Sequence, residues 1–119
     1  TIARFLENQS EGVKAGGAIF VAGFFRKITN LEEDPETQET AEHWLNSPVN
    51  LSKVKSHLTK SVAIFSDNDE YVSLDNVDDF RDKLGSKIII QKNKGHFNTK
   101  AGVTELPVVL EELLKMTKV

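Results

Sequence analysis

Three short apolar runs, each of strand length and each set apart from the next by a segment long enough to hold a helix, leave few folds open to this chain. The first, Ala18-Ile19-Phe20-Val21-Ala22, lies between Gly16-Gly17 and Gly23 and shows no polar alternation, which predicts a strand buried on both faces. Lys60 to Ser66 is the second, closing in the polar turn Asp67-Asn68-Asp69-Glu70. Ser86 to Gln91 is the third, and it runs into a loop from Lys92 to Gly102. A hairpin cannot join parallel neighbours, so strands alternating with helical segments imply right-handed crossovers and a parallel sheet.

Helical spacing identifies the connectors. Ile2, Phe5 and Leu6 mark an opening helix within Thr1 to Glu11, with Arg4, Glu7 and Gln9 facing away and Gly12 ending it. The polar, acidic stretch from Arg26 to Thr40 reads as a solvated loop. Ala41, Trp44 and Leu45 give a short amphipathic helix ended by Ser47-Pro48, and Leu51, Val54 and Leu58 give another behind an Asn50 cap. Ser73 is the expected N-cap of a helix carrying Leu74, Val77, Phe80 and Leu84, with Gly85 following its end. A last helix is expected from Glu105 to Lys118, capped by Thr104, with Pro107 in its first turn and Leu106, Val109, Leu110, Leu113 and Leu114 as its apolar face. The predicted class is α/β: three parallel strands with flanking helices in three layers. An opening helix with no strand before it implies that the chain enters partway through a larger domain.

Composition narrows the function classes. With 119 residues there is room for one hydrophobic core. Lys and Arg total 15 against 18 Asp and Glu, a formal charge of -3 that offers no basic face for phosphate, so no nucleic-acid partner is expected. The absence of cysteine removes disulfides, thiolate nucleophiles and Cys-based metal sites, and fits a reducing, cytoplasmic setting. No run approaches the ~20 apolar residues of a membrane span, and the first apolar segment is internal without the basic flank of a signal peptide. Neither a membrane partner nor a cofactor is expected.

In open α/β sheets, reactive residues collect in the loops at the carboxyl ends of the strands. Here those loops carry Asp67-Asn68-Asp69 after the second strand, Gly95-His96-Phe97 after the third, and Phe24, Phe25 and Arg26 after the first. An acid on one loop and a histidine on the next is what a Ser-His-Asp relay requires, since the carboxylate must hold one imidazole nitrogen while the other faces the nucleophile. The same residues also read as ordinary turn residues and a hydrogen-bonded loop histidine, and pattern alone does not separate the two. Phe24, Phe25 and Trp44 read either as walls of an acyl pocket or as core aromatics. His43 and His57 sit among polar neighbours and are expected on the surface. Asp67, Asp69 and His96 have metal-ligating chemistry but no second histidine at helical spacing, so no metal site is expected. An EF-hand reading of Asp67-Asn68-Asp69 fails, because the loop glycine is missing and Asp78 stands where the closing glutamate belongs.

The stretch Phe65-Ser66-Asp67-Asn68-Asp69-Glu70-Tyr71-Val72-Ser73, then Gly95-His96-Phe97, then Thr104-Glu105-Leu106-Pro107 resembles the C-terminal half of small α/β-hydrolase serine hydrolases, of the retinoblastoma-binding serine hydrolase and YdeN-like family. Phe20-Val21-Ala22-Gly23-Phe24 and the Trp44 to Val54 segment extend the resemblance over nearly the whole chain. In that family a D-x-x-V/L-P turn supplies the catalytic acid and a later G-H-F the catalytic histidine. By that likeness Asp69 is the acid, with Ser73 in place of the usual proline, and His96 is the histidine. The departure is equally specific: no serine in the chain stands in the G-x-S-x-G nucleophile elbow that such an enzyme needs. The resemblance therefore implies the C-terminal part of one α/β-hydrolase domain, with the elbow and N-terminal strands outside residues 1–119. A carboxylester, or else an amide or thioester, is the expected small-molecule substrate, the fragment alone is expected to be inactive, and the N-terminal half of the same domain is the expected partner. The rival expectation is a non-catalytic, protein-binding module that keeps the hydrolase-like fold.

Overall fold

Side chains alternate across a sheet, and in this chain that alternation sorts the apolar residues onto two covered faces. The computed structural model describes residues 1–25, 36, 39 and 48–117. The apolar runs form β1 (Ala18–Val21), β2 (Ser61–Ser66) and β3 (Lys87–Gln91), all parallel and in that spatial order. Helix α1 (Ile2–Glu7) precedes β1 and α2 (Leu51–Ser56) precedes β2. Helix α3 (Asn76–Asp78, continued by the π-helical turn Asp79–Lys83) joins β2 to β3, and α4 (Pro107–Thr117) follows the His96 loop. The predicted helix at Ala41, Trp44 and Leu45, His43, and the Arg26 to Thr40 loop apart from Glu36 and Glu39 lie outside the described residues.

Register places Phe20, Ala63 and Ile88 abreast, with Phe65 next along β2 on the same face. That face packs against Ala3 and Leu6 of α1, Val54 of α2, and Val77 and Phe80 of α3. Phe80 lies at the centre, its ring centroid 5.2 Å from Phe20, 4.7 Å from Phe25 and 5.5 Å from Phe65. On the opposite face Val62 and Ile64 are buried, and Lys87 reaches Glu112 of α4 at 3.1 Å. Helix α4 therefore covers the second face, and the layers are α/β/α.

Five local expectations give way, each for a physical reason. Strand β1 is at the sheet edge among the described residues, so Phe20 alone of its four residues is fully buried and the other three are half-buried. Helix α1 ends at Glu7, not near Gly12, because the Asn8 and Gln9 amides fold back onto the carbonyls of Arg4 and Phe5; it buries Ala3 and Leu6 and leaves Ile2 and Phe5 exposed. Helix α3 starts at Asn76 instead of following a Ser73 cap, since the Ser73 hydroxyl turns to the Asp75 carboxylate and Leu74 stays outside. His57 is buried, not on the surface: the segment before β1 docks on the end of α2, where Ala15 N–H meets the His57 carbonyl at 2.8 Å and His57 Nδ1 donates to the Val13 carbonyl at 2.6 Å. Helix α4 is rotated from its expected face. It buries Glu112, seats Met116 over Gly17, where a Cβ would come within 2.8 Å of Sδ, and leaves Leu110, Leu113 and Leu114 exposed.

Candidate functional site

All three strands run the same way, so their outgoing loops emerge at one end of the sheet. The β1 loop leaves through Ala22, whose φ of 49° is a left-handed conformation that costs a non-glycine residue energy. Gly23 follows because the chain passes so close to Phe80 that a Cβ would lie 2.8 Å from the ring. Next, Phe25 N–H donates to Asn76 Oδ1 at 3.0 Å, while Asn76, fully buried, donates its own amide to the Ser73 carbonyl at 3.1 Å. One side chain thus ties the β1 loop to the loop after β2.

The β2 loop presents Asp69, whose side chain is only 2% exposed. A buried carboxylate needs donors, and three converge on it. Tyr71 N–H and Val72 N–H reach Oδ1 at 2.9 and 3.1 Å, and His96 Nδ1 reaches Oδ2 at 2.9 Å. The imidazole itself is 36% exposed, with the Tyr71 ring edge-on at 5.3 Å. With Nδ1 held by the carboxylate, Nε2 is the nitrogen free to exchange a proton with a third group.

Of the residues singled out in the sequence, Asp69 and His96 come together and Asp67 stands apart from the pair, accepting from Asn93 N–H at 2.9 Å. Phe24 and Phe25 are half-buried and line a groove of about 760 Å³ together with Thr1, Phe20, Leu51 and Phe80. Asp69 and His96 do not line that groove, which lies along β1 and the start of α1. Trp44 is outside the described residues. Among the described residues no group of three His, Asp or Glu side chains is placed to hold a metal.

Sequence reasoning passed over Ser66, Asn68 and Asn76. Ser66 Oγ accepts from Lys94 N–H at 3.0 Å and donates to Asn68 Oδ1 at 2.8 Å, and that same oxygen accepts from Gly95 N–H at 2.8 Å. The available signal was an uninterrupted run of polar acceptors, Ser66 to Asp69, longer than a simple turn needs.

A family model described as serine hydrolase matches residues 1–115. The crystal structure of the ydeN gene product from B. subtilis shares the fold, with a TM-score of 0.81 and 23% sequence identity. The alignment covers 97% of this chain and 58% of that one, so the chain spans little more than half the length of that solved protein. No curated protein matches the sequence.

Proposed function

The chain belongs to the serine hydrolase family, and from that premise we propose that it supplies the acid and the histidine of a Ser-His-Asp relay hydrolysing a small carboxylester, or an amide or thioester of similar size. The observation that carries this reading is the 2.9 Å contact between the buried Asp69 carboxylate and His96 Nδ1, with the rest of the imidazole reaching solvent. The nucleophile is a serine in polypeptide outside these residues, a reading supported by the lack of a G-x-S-x-G here and by the longer chain of the solved relative.

In the reaction, His96 Nε2 takes the serine hydroxyl proton as Oγ attacks the ester carbon, forming a tetrahedral oxyanion. Collapse breaks the bond to the leaving alcohol, which receives that proton from His96. Water then repeats the sequence on the acyl-enzyme, releasing the acid and restoring the serine. Asp69 holds the Nδ1–H tautomer and stabilises the imidazolium, and its three donors fix its own orientation. Phe24 and Phe25, on the β1 loop at the same end of the sheet as Asp69 and His96, with Trp44 proposed from the sequence alone, supply apolar walls for the acyl group. The N-terminal half of the domain completes the site, the isolated residues 1–119 do not turn over substrate, and the setting is cytoplasmic. Among the described residues no helix is long and apolar enough to cross a membrane.

Hydrolysis of short-chain p-nitrophenyl esters by the full-length protein tests the reading. His96→Ala is expected to remove nearly all turnover, whereas unchanged kcat in that variant would exclude His96 as the base.

A further inference from the structure

Three consecutive residues at the end of β2 bind three consecutive backbone amides of the His96 loop. Asp67 Oδ1 accepts from Asn93 N–H at 2.9 Å, Ser66 Oγ from Lys94 N–H at 3.0 Å, and Asn68 Oδ1 from Gly95 N–H at 2.8 Å. The set continues the β2 to β3 pairing beyond its last backbone bond, Asp67 N–H to the Gln91 carbonyl at 3.0 Å, with side chains in place of carbonyls. It ends where Asp69 meets His96.

The loop that these bonds hold follows an irregular path. Asn93, Gly95 and Phe97 have φ of 56°, 54° and 54°, so left-handed residues alternate along it and flank His96 on both sides. Asn93 and Gly95 adopt this conformation readily, but Phe97 does so at a cost and persists in it only where its surroundings over-determine it. Gly95 is packed so tightly that a Cβ would come within 2.6 Å of Ala101 Cβ.

We infer that Ser66, Asp67 and Asn68 are positioning residues that set the register of the His96 loop and thereby hold the imidazole against Asp69. Their catalytic meaning rests on the proposed relay, but their action on His96 is a property of the folded chain and is measured without substrate. Side-chain chemistry sets the requirement: each position needs a hydrogen-bond acceptor, not a charge. Asp67→Asn and Asn68→Asp therefore preserve the clamp, whereas Asp67→Ala and Asn68→Ala open it.

The test is NMR of the full-length protein and of these four variants, following amide exchange at Asn93, Lys94 and Gly95 and the His96 Nδ1 proton bonded to Asp69, with ester kinetics run in parallel. In the two alanine variants, exchange at those amides is expected to rise about tenfold and the Nδ1 proton signal to broaden or vanish, with the acceptor-preserving variants close to wild type. If the relay operates, kcat falls in the alanine variants with KM little changed. Loosened amides in a protein that shows no esterase activity uphold the clamp and count against the hydrolase reading. Alanine variants that keep wild-type exchange and an intact Nδ1 signal, or acceptor-preserving variants that fail as badly as alanine, overturn the clamp.

Discussion

Asp69 and Asp67 stand two residues apart on one turn, yet their partners differ: Asp69 meets an imidazole and two backbone amides, Asp67 a single backbone amide of the neighbouring loop. Asp69→Asn keeps the shape but offers an amide where the carboxylate received Nδ1–H, so the histidine loses its tautomer; kcat in the full-length protein should fall by up to ~10⁴. Asp67→Asn keeps the acceptor and should be close to neutral. The reverse order in steady-state kinetics would make Asp67 the acid. At this scale the meeting of Asp69 with His96 was legible only through the family resemblance carried by two short patterns, D-x-x-V and G-H-F, since residue pattern by itself left turn residues and a relay undivided. Ser66 and Asn68 were not, because the run of polar acceptors in which they stand names no partner, and their partners are backbone amides of a remote loop. His57 was misread for a similar reason. Its polar neighbours in sequence are not its neighbours in space, where the Val13 carbonyl takes its Nδ1–H.

Elements, unlike side-chain partners, were largely legible, since apolar runs and glycine stops are local signals. All three strands fall within a residue of their expected bounds, Asn50 caps α2 by accepting from Lys53 N–H at 3.2 Å, and Gly85 follows α3 with a φ of 69°. The face that α4 presents was not legible, because periodicity counts apolar positions and says nothing about which side meets the sheet. Hydrogen bonds from Lys115 and then Lys87 hold the Glu112 carboxyl below its ordinary pKa of 4.5. A depressed carboxyl contributes stability that is present above the unfolded value and is lost as pH falls through the folded one. The packing of α4 should therefore weaken on acidification below about pH 4.5. Glu112→Gln should flatten that part of the stability profile, as read from urea midpoints across the acid range. An unchanged acid limb in the variant would mean that Glu112 does not tie α4 to β3.

For the whole molecule, an open strand edge and exposed apolar side chains on two helices set the expected behaviour. The outer edge of β1 has no strand beside it among the described residues, and Leu110, Leu113 and Leu114 of α4 and Ile2 and Phe5 of α1 are all open to solvent. An unpaired edge and apolar faces of this kind favour association. Residues 1–119 expressed alone should be oligomeric or poorly soluble, and should become monodisperse when co-expressed with the N-terminal half. A compact monomer with a single cooperative urea transition would show that the chain needs no such partner. The central claim, that Asp69 and His96 serve a serine outside these residues, is reached most directly by treating the full-length protein with a fluorophosphonate and mapping the adduct by peptide mass spectrometry. The predicted result is one stoichiometric adduct on a serine preceding Thr1, strongly reduced in His96→Ala; an intact, folded protein that takes no label, or is labelled equally without His96, contradicts it.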